Sequence, residues 1–198
     1  MVVLKKTLRN IAIGTIIAIV VVVSVYGYFY WKYAPHLNPK PQYFMTVKGY
    51  IDPAVKDQVQ LTWIMRYYSN NPNCEITVNW LEGVSVPRER DDVAHVTPNS
   101  TGHYQYQFAL DKYNTGFCEW RVIALDYKTN AQVSLDDAYT AVFFSKHAKP
   151  FKNTTGTEIW KCTQKNCSSI SLVGYPNYDK SISINQNYIY ELNFLKGE

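Results

Sequence analysis

Between Ile11 and Trp31 no residue is charged. A helix needs about 20 apolar residues to cross ~30 Å of hydrocarbon, and this run has that length. Its eleven Ile, Val and Phe residues between Ile11 and Tyr30 contribute on the order of −3 to −6 kcal/mol to insertion. A secretory signal has a shorter apolar core, roughly 7–15 residues, and a small-residue cleavage site; no A-x-A pattern follows here. Tyr26, Tyr28, Phe29, Tyr30 and Trp31 close the run as an aromatic belt of the membrane–water interface. The run therefore predicts a retained anchor over 11–31. Lys5, Lys6 and Arg9 precede it, against Lys32 alone just behind. The positive-inside rule then places residues 1–10 in the cytoplasm and everything beyond Trp31 outside it.

After the anchor the period changes. "YAPHLNPKPQ" (33–42) holds three prolines and no apolar rhythm. Pro-rich segments extend at ~3.1 Å per residue, so residues 32–42 read as a semi-rigid stalk that holds a domain about 30 Å off the membrane. From residue 43 to 198 the pattern alternates with period two, the mark of half-buried strands. Val59, Leu61, Trp63, Met65 and Tyr67 share one face; so do Tyr104, Tyr106, Phe108 and Leu110; so do Ile182, Ile184, Tyr188, Tyr190, Leu192 and Phe194. Further strands are predicted over 43–51, 74–81, 118–127, 139–145, 157–162 and 167–175. Residues 53–58 and 134–138 suit short helical turns, with Asp136 and Asp137 as favourable charges at a helix start. About nine short strands without intervening helices predict an all-β, antiparallel sandwich. The stretches 83–102 and 145–156 read as long loops.

The net charge of +4 does not describe the outer domain. Four of the 20 bases (Lys5, Lys6, Arg9, Lys32) flank the anchor, and the other 16 are matched by all 16 acids, which begin at Asp52. The basic footprint of a nucleic-acid binder is absent. Four cysteines lie beyond the anchor, where disulfides persist. Cys162 and Cys167 bracket "TQKN" between two β-like runs, which leaves Cys74 for Cys118. Cys74 is in phase with Ile76, Val78 and Trp80, and Cys118 with Trp120, Val122 and Ala124, so both sulfurs are expected to point into the core. Closing about 45 residues contributes roughly 4 kcal/mol in the chain-entropy model. Zinc would need two close Cys pairs or a His pair, and no cofactor motif occurs.

No G-x-S-x-G, H-E-x-x-H, G-x-G-x-x-G or Walker-type loop is present. Asp91, Asp92, His95 and His103 are the residues from which an acid–base site could be gathered, and they sit among mixed charges with Pro98 and Gly102. The more informative chemistry is recognition. "RYYSNNPN" (66–73) joins rigid aromatic area to adaptable amides, as paratopes do; Tyr68, Asn70 and Asn71 are the candidate contacts, with Tyr67 in phase with the core. Arg88, Arg90, Asp91 and Asp92 in one long stretch, and Lys146, Lys149 and Lys152 in the other, complete the candidate partner-binding set. Asn99, Asn153 and Asn166 each begin an N-x-[ST] sequon, meaningful only in a eukaryotic secretory route.

In its plan (short cytoplasmic tail, single span, stalk, disulfide-bonded β domain) the chain resembles bitopic proteins of the Gram-negative inner membrane. Immunity proteins that protect against toxins acting in the periplasm share this plan, as do accessory subunits of envelope and secretion machines. The expectation is a membrane-anchored periplasmic module that binds a protein partner, most sharply an immunity-type inhibitor. The alternatives are a structural subunit of an envelope complex and a polysaccharide- or lipid-acting enzyme.

Overall fold

The computed structural model describes residues 2–114, 116–129, 139–145, 155–163, 167–173 and 182–197. Helix α1 (Val2–Tyr33) opens the chain. Its Ile13–Tyr33 stretch is long and apolar enough to cross a membrane, and it is not buried against the rest of the protein. The strands that follow are β1 (Phe44–Ile51), β2 (Leu61–Tyr68), β3 (Ile76–Asn79), β4 (Val84–Val86), β5 (Glu89–His95) and β6 (His103–Ala109). The remainder are β7 (Arg121–Thr129), β8 (Tyr139–Ser145), β9 (Thr155–Cys162), β10 (Cys167–Val173), β11 (Ile182–Ser183) and β12 (Tyr188–Lys196). A 3-10 turn at Lys56–Gln58 sits where a helical turn was predicted over 53–58.

Two five-stranded sheets carry the fold, in the orders β10-β9-β12-β1-β6 and β11-β8-β7-β2-β5, and β3 pairs with β4 alone. Most neighbours are antiparallel, but β12 runs parallel to both β1 and β9, and β11 parallel to β8. Alternation supplies the core. Met45, Val47 and Ile51 from β1, Leu61, Trp63, Met65 and Tyr67 from β2, and Tyr188, Tyr190, Leu192 and Phe194 from β12 all join one buried cluster. The sheets meet face to face: the Trp63 and Tyr190 rings lie 5.7 Å apart, and Tyr67 donates its hydroxyl to the Ala109 carbonyl at 2.7 Å. Gly49 lets β1 pass close to β12. A Cβ there would fall 1.8 Å from the Leu192 carbonyl oxygen and 2.7 Å from the Tyr104 hydroxyl, which itself donates to Leu192 O.

Between the sheets lies one buried acid that sequence reasoning passed over. Glu158 accepts from Tyr190 Oη at 2.6 Å, from Tyr127 Oη at 3.1 Å and from Trp160 Nε1 at 2.9 Å. Tyr127 belongs to the facing sheet, so this carboxylate links the two layers, and a buried polar group so satisfied is tolerated. The disulfides are those expected, Cys74–Cys118 and Cys162–Cys167, the second joining directly opposed residues of β9 and β10.

Four expectations need correction. The segment 83–102 is not one loop: it contains β4 and β5, and β5 pairs along the whole of β2. Cys74 is buried, in the 3-10 turn Pro72–Cys74, but Ile76, Val78 and Trp80 are exposed, because β3 leaves the sandwich after the disulfide. Tyr106 is 45 % exposed although in phase with buried Tyr104 and Phe108; β6 is a sheet edge with no strand beyond it among the described residues. Finally, 33–42 does not stand free as a spacer. Asn38 N donates to Lys112 O, Asn114 N to His36 O, and Asp111 accepts from the backbone of Gln42 and Tyr43. The segment is laid along the loop after β6. The turn over 134–138 with Asp136 and Asp137, and sequons Asn153 and Asn166, lie outside the described residues.

Candidate functional site beside the end of the helix

The candidate residues fall into two groups around the end of α1. The first builds the joint between helix and sandwich. Asn71 accepts from Asn73 N at 3.0 Å and donates Nδ2 to Phe117 O at 2.7 Å, forming the turn that brings Cys74 to Cys118. Asn70 is exposed and donates its backbone N–H to Cys118 O. Arg88 donates Nε to Cys74 O at 2.9 Å and stands over the Tyr33 ring, while its own N–H donates to Ser69 Oγ. Lys32 lies 4.0 Å from the Phe117 centroid. Arg88 and Asn71 are therefore as much fasteners of the fold as surface contacts. Between this joint and the aromatic end of α1 is a cavity of about 420 Å³, with Tyr26, Tyr30 and Tyr33 on one wall and Ile76, Arg88 and Arg90 on the other.

The second group lines an open sheet edge. β5 is the outermost strand beside β2. Val96 N donates to Leu61 O, and Arg88 O accepts from Ser69 N, both at 2.9 Å. Backbone groups alternate sides along a strand, so those of residues 90, 92 and 94 face β2. Those of Glu89, Asp91, Val93 and His95 face away, with no strand beyond them among the described residues. Here the charges matter. Arg90 and Asp91 are exposed; Asp91 shares a face with Arg66, while Arg90 and Asp92 alternate to the other, where Asp92 pairs with Lys112. Charged side chains on an edge oppose indiscriminate strand pairing, so any partner must match them.

Beside the edge, the outer face of β2 carries a polar network. Arg66 pairs with Asp126, whose side chain is only 2 % exposed and lies beside buried Ile64 in register. Burial pulls the Arg66 guanidinium down, but Asp126 and the Tyr68 hydroxyl outweigh it and leave it raised. Tyr68, half-buried, is raised by its hydrogen bond to Glu89 and by burial, with Arg66 opposing. Asp91 lies opposite Arg66 in register; burial lifts its carboxyl, with Arg66 opposing and Glu89 adding to the rise. Val93 and Phe143 add exposed apolar area to this face.

The acid–base set is not gathered. Asp91 and Asp92 point to opposite faces, His95 is engaged with Thr62 at 3.1 Å, and His103 packs on Tyr50 at the margin of the other sheet. No group of three metal-ligating side chains occurs among the described residues. Lys146, Lys149 and Lys152 lie outside the described residues. Two features were missed in the sequence. The Arg66–Asp126 pair has only a residue spacing of no particular meaning to announce it; the position of β5 at the end of its sheet has no sequence signal at all. Comparison with protein-family models, with characterised proteins and with solved structures finds no match to this chain.

Proposed function

We propose that this chain is a membrane-tethered binding module, N-terminus in the cytoplasm and β domain in the periplasm, that takes a protein partner along the β5 edge. An immunity-type inhibitor of a periplasmic toxin is the sharpest form of this reading. The observation that carries it is the outward backbone of Glu89, Asp91, Val93 and His95, with no strand paired to it among the described residues, flanked by Tyr68, Arg90 and Asp91. Strand addition uses such backbone groups for affinity and adjacent side chains for specificity. The anchor supports the location: lysines and arginine precede the span, and the disulfides suit an oxidising compartment.

The test is affinity purification of the full-length chain from its own membranes, with wild type beside Val93→Pro. Proline at 93 removes an outward N–H, which an edge strand tolerates, and blocks an added strand. A one-to-one protein partner that is retained by wild type and lost with Val93→Pro supports the reading. Retention of the same partner by the folded variant removes β5 from it. A structural role in an envelope complex is the second reading, favoured by Tyr26, Tyr30 and Tyr33 of α1 forming a wall of the cavity beside Arg88 and Arg90. Exchanging Ile11–Trp31 for an unrelated span should abolish that role and leave an inhibitor active.

A further inference from the structure

The β3–β4 hairpin has the composition of a buried element and the exposure of a surface one. Four apolar residues, Ile76, Val78, Val84 and Val86, lie along the two strands; Ile76 is opposite Val86, and a register shift at Val78 sets Asn79 opposite Val84. All four are exposed, and none joins the core. Thr77 and Ser85 are opposed on the other face, their hydroxyls 3.4 Å apart. At the tip Trp80 is 80 % and Leu81 76 % exposed, the turn closing through Gly83 at φ +66°. The hairpin thus presents exposed apolar side chains along its length, with the most exposed, Trp80 and Leu81, at its tip.

Its position says what covers it. The base is fixed to the end of the membrane helix: Cys74 is bonded to Cys118, and Arg88, which holds Cys74 O, stands over Tyr33. Ile76 faces the same cavity as Tyr26, Phe29 and Tyr30. At 1.5 Å per residue the helix descends about 10 Å from Tyr33 to Tyr26, and this is the aromatic stretch that belongs at the interface. The hairpin therefore leaves the domain beside the part of the helix that crosses the headgroup layer. Tryptophan favours that layer, and Glu75 and Glu82, with Glu82 held by Asn79 Nδ2 at 2.7 Å, oppose deeper entry into hydrocarbon.

We propose that the β3–β4 hairpin is a second membrane contact, lying with Trp80 and Leu81 in the headgroup–acyl boundary of a phospholipid bilayer beside α1. With two attachment points the sandwich is held in one orientation over the bilayer. The inference rests on α1 spanning the membrane, and the test separates the two. Of the five tryptophans, Trp63, Trp120 and Trp160 are buried, while Trp31 and Trp80 are exposed. The full chain, with Trp31→Phe and Trp80→Phe variants, is reconstituted in phosphatidylcholine vesicles brominated high on the acyl chain. Trp80→Phe is expected to remove about half of the lipid-quenchable emission, the rest coming from Trp31 at the interface. In Trp31→Phe, Trp80 is expected to be quenched by bromolipid and shielded from iodide. If Trp80 is open to iodide and indifferent to bromolipid while Trp31 is quenched, the hairpin proposal is overturned and the anchor stands. If Trp31 too escapes bromolipid, the anchor reading fails and the proposal with it. Shielding of Trp80 from both quenchers shows a protein cover, a second copy included, and also overturns it.

Discussion

Removing Arg66 while leaving Asp126 in place is the most discriminating perturbation of the outer sheet face. The pair is asymmetric: the Arg66 side chain is 32 % exposed and that of Asp126 2 %. Deleting one partner of a buried ion pair costs about 3–5 kcal/mol when it strands a buried charge. Arg66→Met strands Asp126, whose Oδ1 has no hydrogen-bond partner among the described residues; partial exposure of the arginine places the expected loss near the low end, about 3 kcal/mol. Asp126→Asn leaves a guanidinium that still reaches solvent, Tyr68 and Asp91, so the loss should be about 1 kcal/mol. The double variant Arg66→Met, Asp126→Leu removes both charges and should recover most of the loss. Urea unfolding of the full chain in detergent, followed by tryptophan emission, reads the midpoints. The expected order is Arg66→Met well below Asp126→Asn, with the double variant closer to wild type than Arg66→Met. Equal losses from the two single variants, or a loss from Arg66→Met under about 1 kcal/mol, would refute the argument that the stranded carboxylate dominates.

Other consequences can be checked independently. Burial raises the hydroxyl pKa of Tyr67, Tyr104 and Tyr188 above the ordinary tyrosine value. Their contribution to stability is complete below about pH 10 and is lost as pH rises towards the folded values, because the unfolded chain gives up these protons first. Tyrosinate absorbance should accordingly show a late fraction that titrates together with unfolding; smooth titration of all tyrosines without unfolding would contradict it. Gly49→Ala should break the β1–β12 pairing and destabilise by about 3 kcal/mol or more, whereas Tyr104→Phe, which loses one hydrogen bond, should cost about 1 kcal/mol; denaturation midpoints distinguish them. Replacing Cys74 and Cys118 by Ala should lower stability by about 4 kcal/mol and replacing Cys162 and Cys167 by about 2 kcal/mol, since the second pair closes a far shorter loop.

The strands that bury one whole face were legible because alternation and core membership coincide in them. β2, with Leu61, Trp63, Met65 and Tyr67 inward, is the plainest example. β5 was not legible: of its seven residues only Ala94 is buried, so an edge strand that reaches little core leaves "ERDDVAH" looking like a solvated loop. β3 failed in the opposite sense. Ile76 and Val78 alternate as a core strand would, but periodicity records which residues share a face and not what that face meets. The prolines of 33–42 do keep the stretch beyond Tyr33 out of regular helix; what they cannot reveal is that Asp111, nearly 70 positions away, accepts from the backbone of Gln42. At the candidate site, residue type identified Tyr68 and Arg90 as surface chemistry, yet gave no sign that Arg88 and Asn71 also hold the turn, the disulfide and the helix end together.

The place of β12 bears on how the protein is made. Residues 188–196 form a central strand, inserted between β1 and β9 and parallel to both. Until they arrive, the first sheet exists as two separate pieces, β6–β1 and β10–β9, with no ladder between them. During synthesis every other strand of the sandwich emerges before β12. Cys74 and Cys118 are likewise made well before the strand that completes the sandwich. The domain must therefore wait, half-built, with β1 and β9 both open. Closure of the first sheet depends on the arrival of residues 188–196, and a chain stopped short of Tyr188 would have no centre to that sheet.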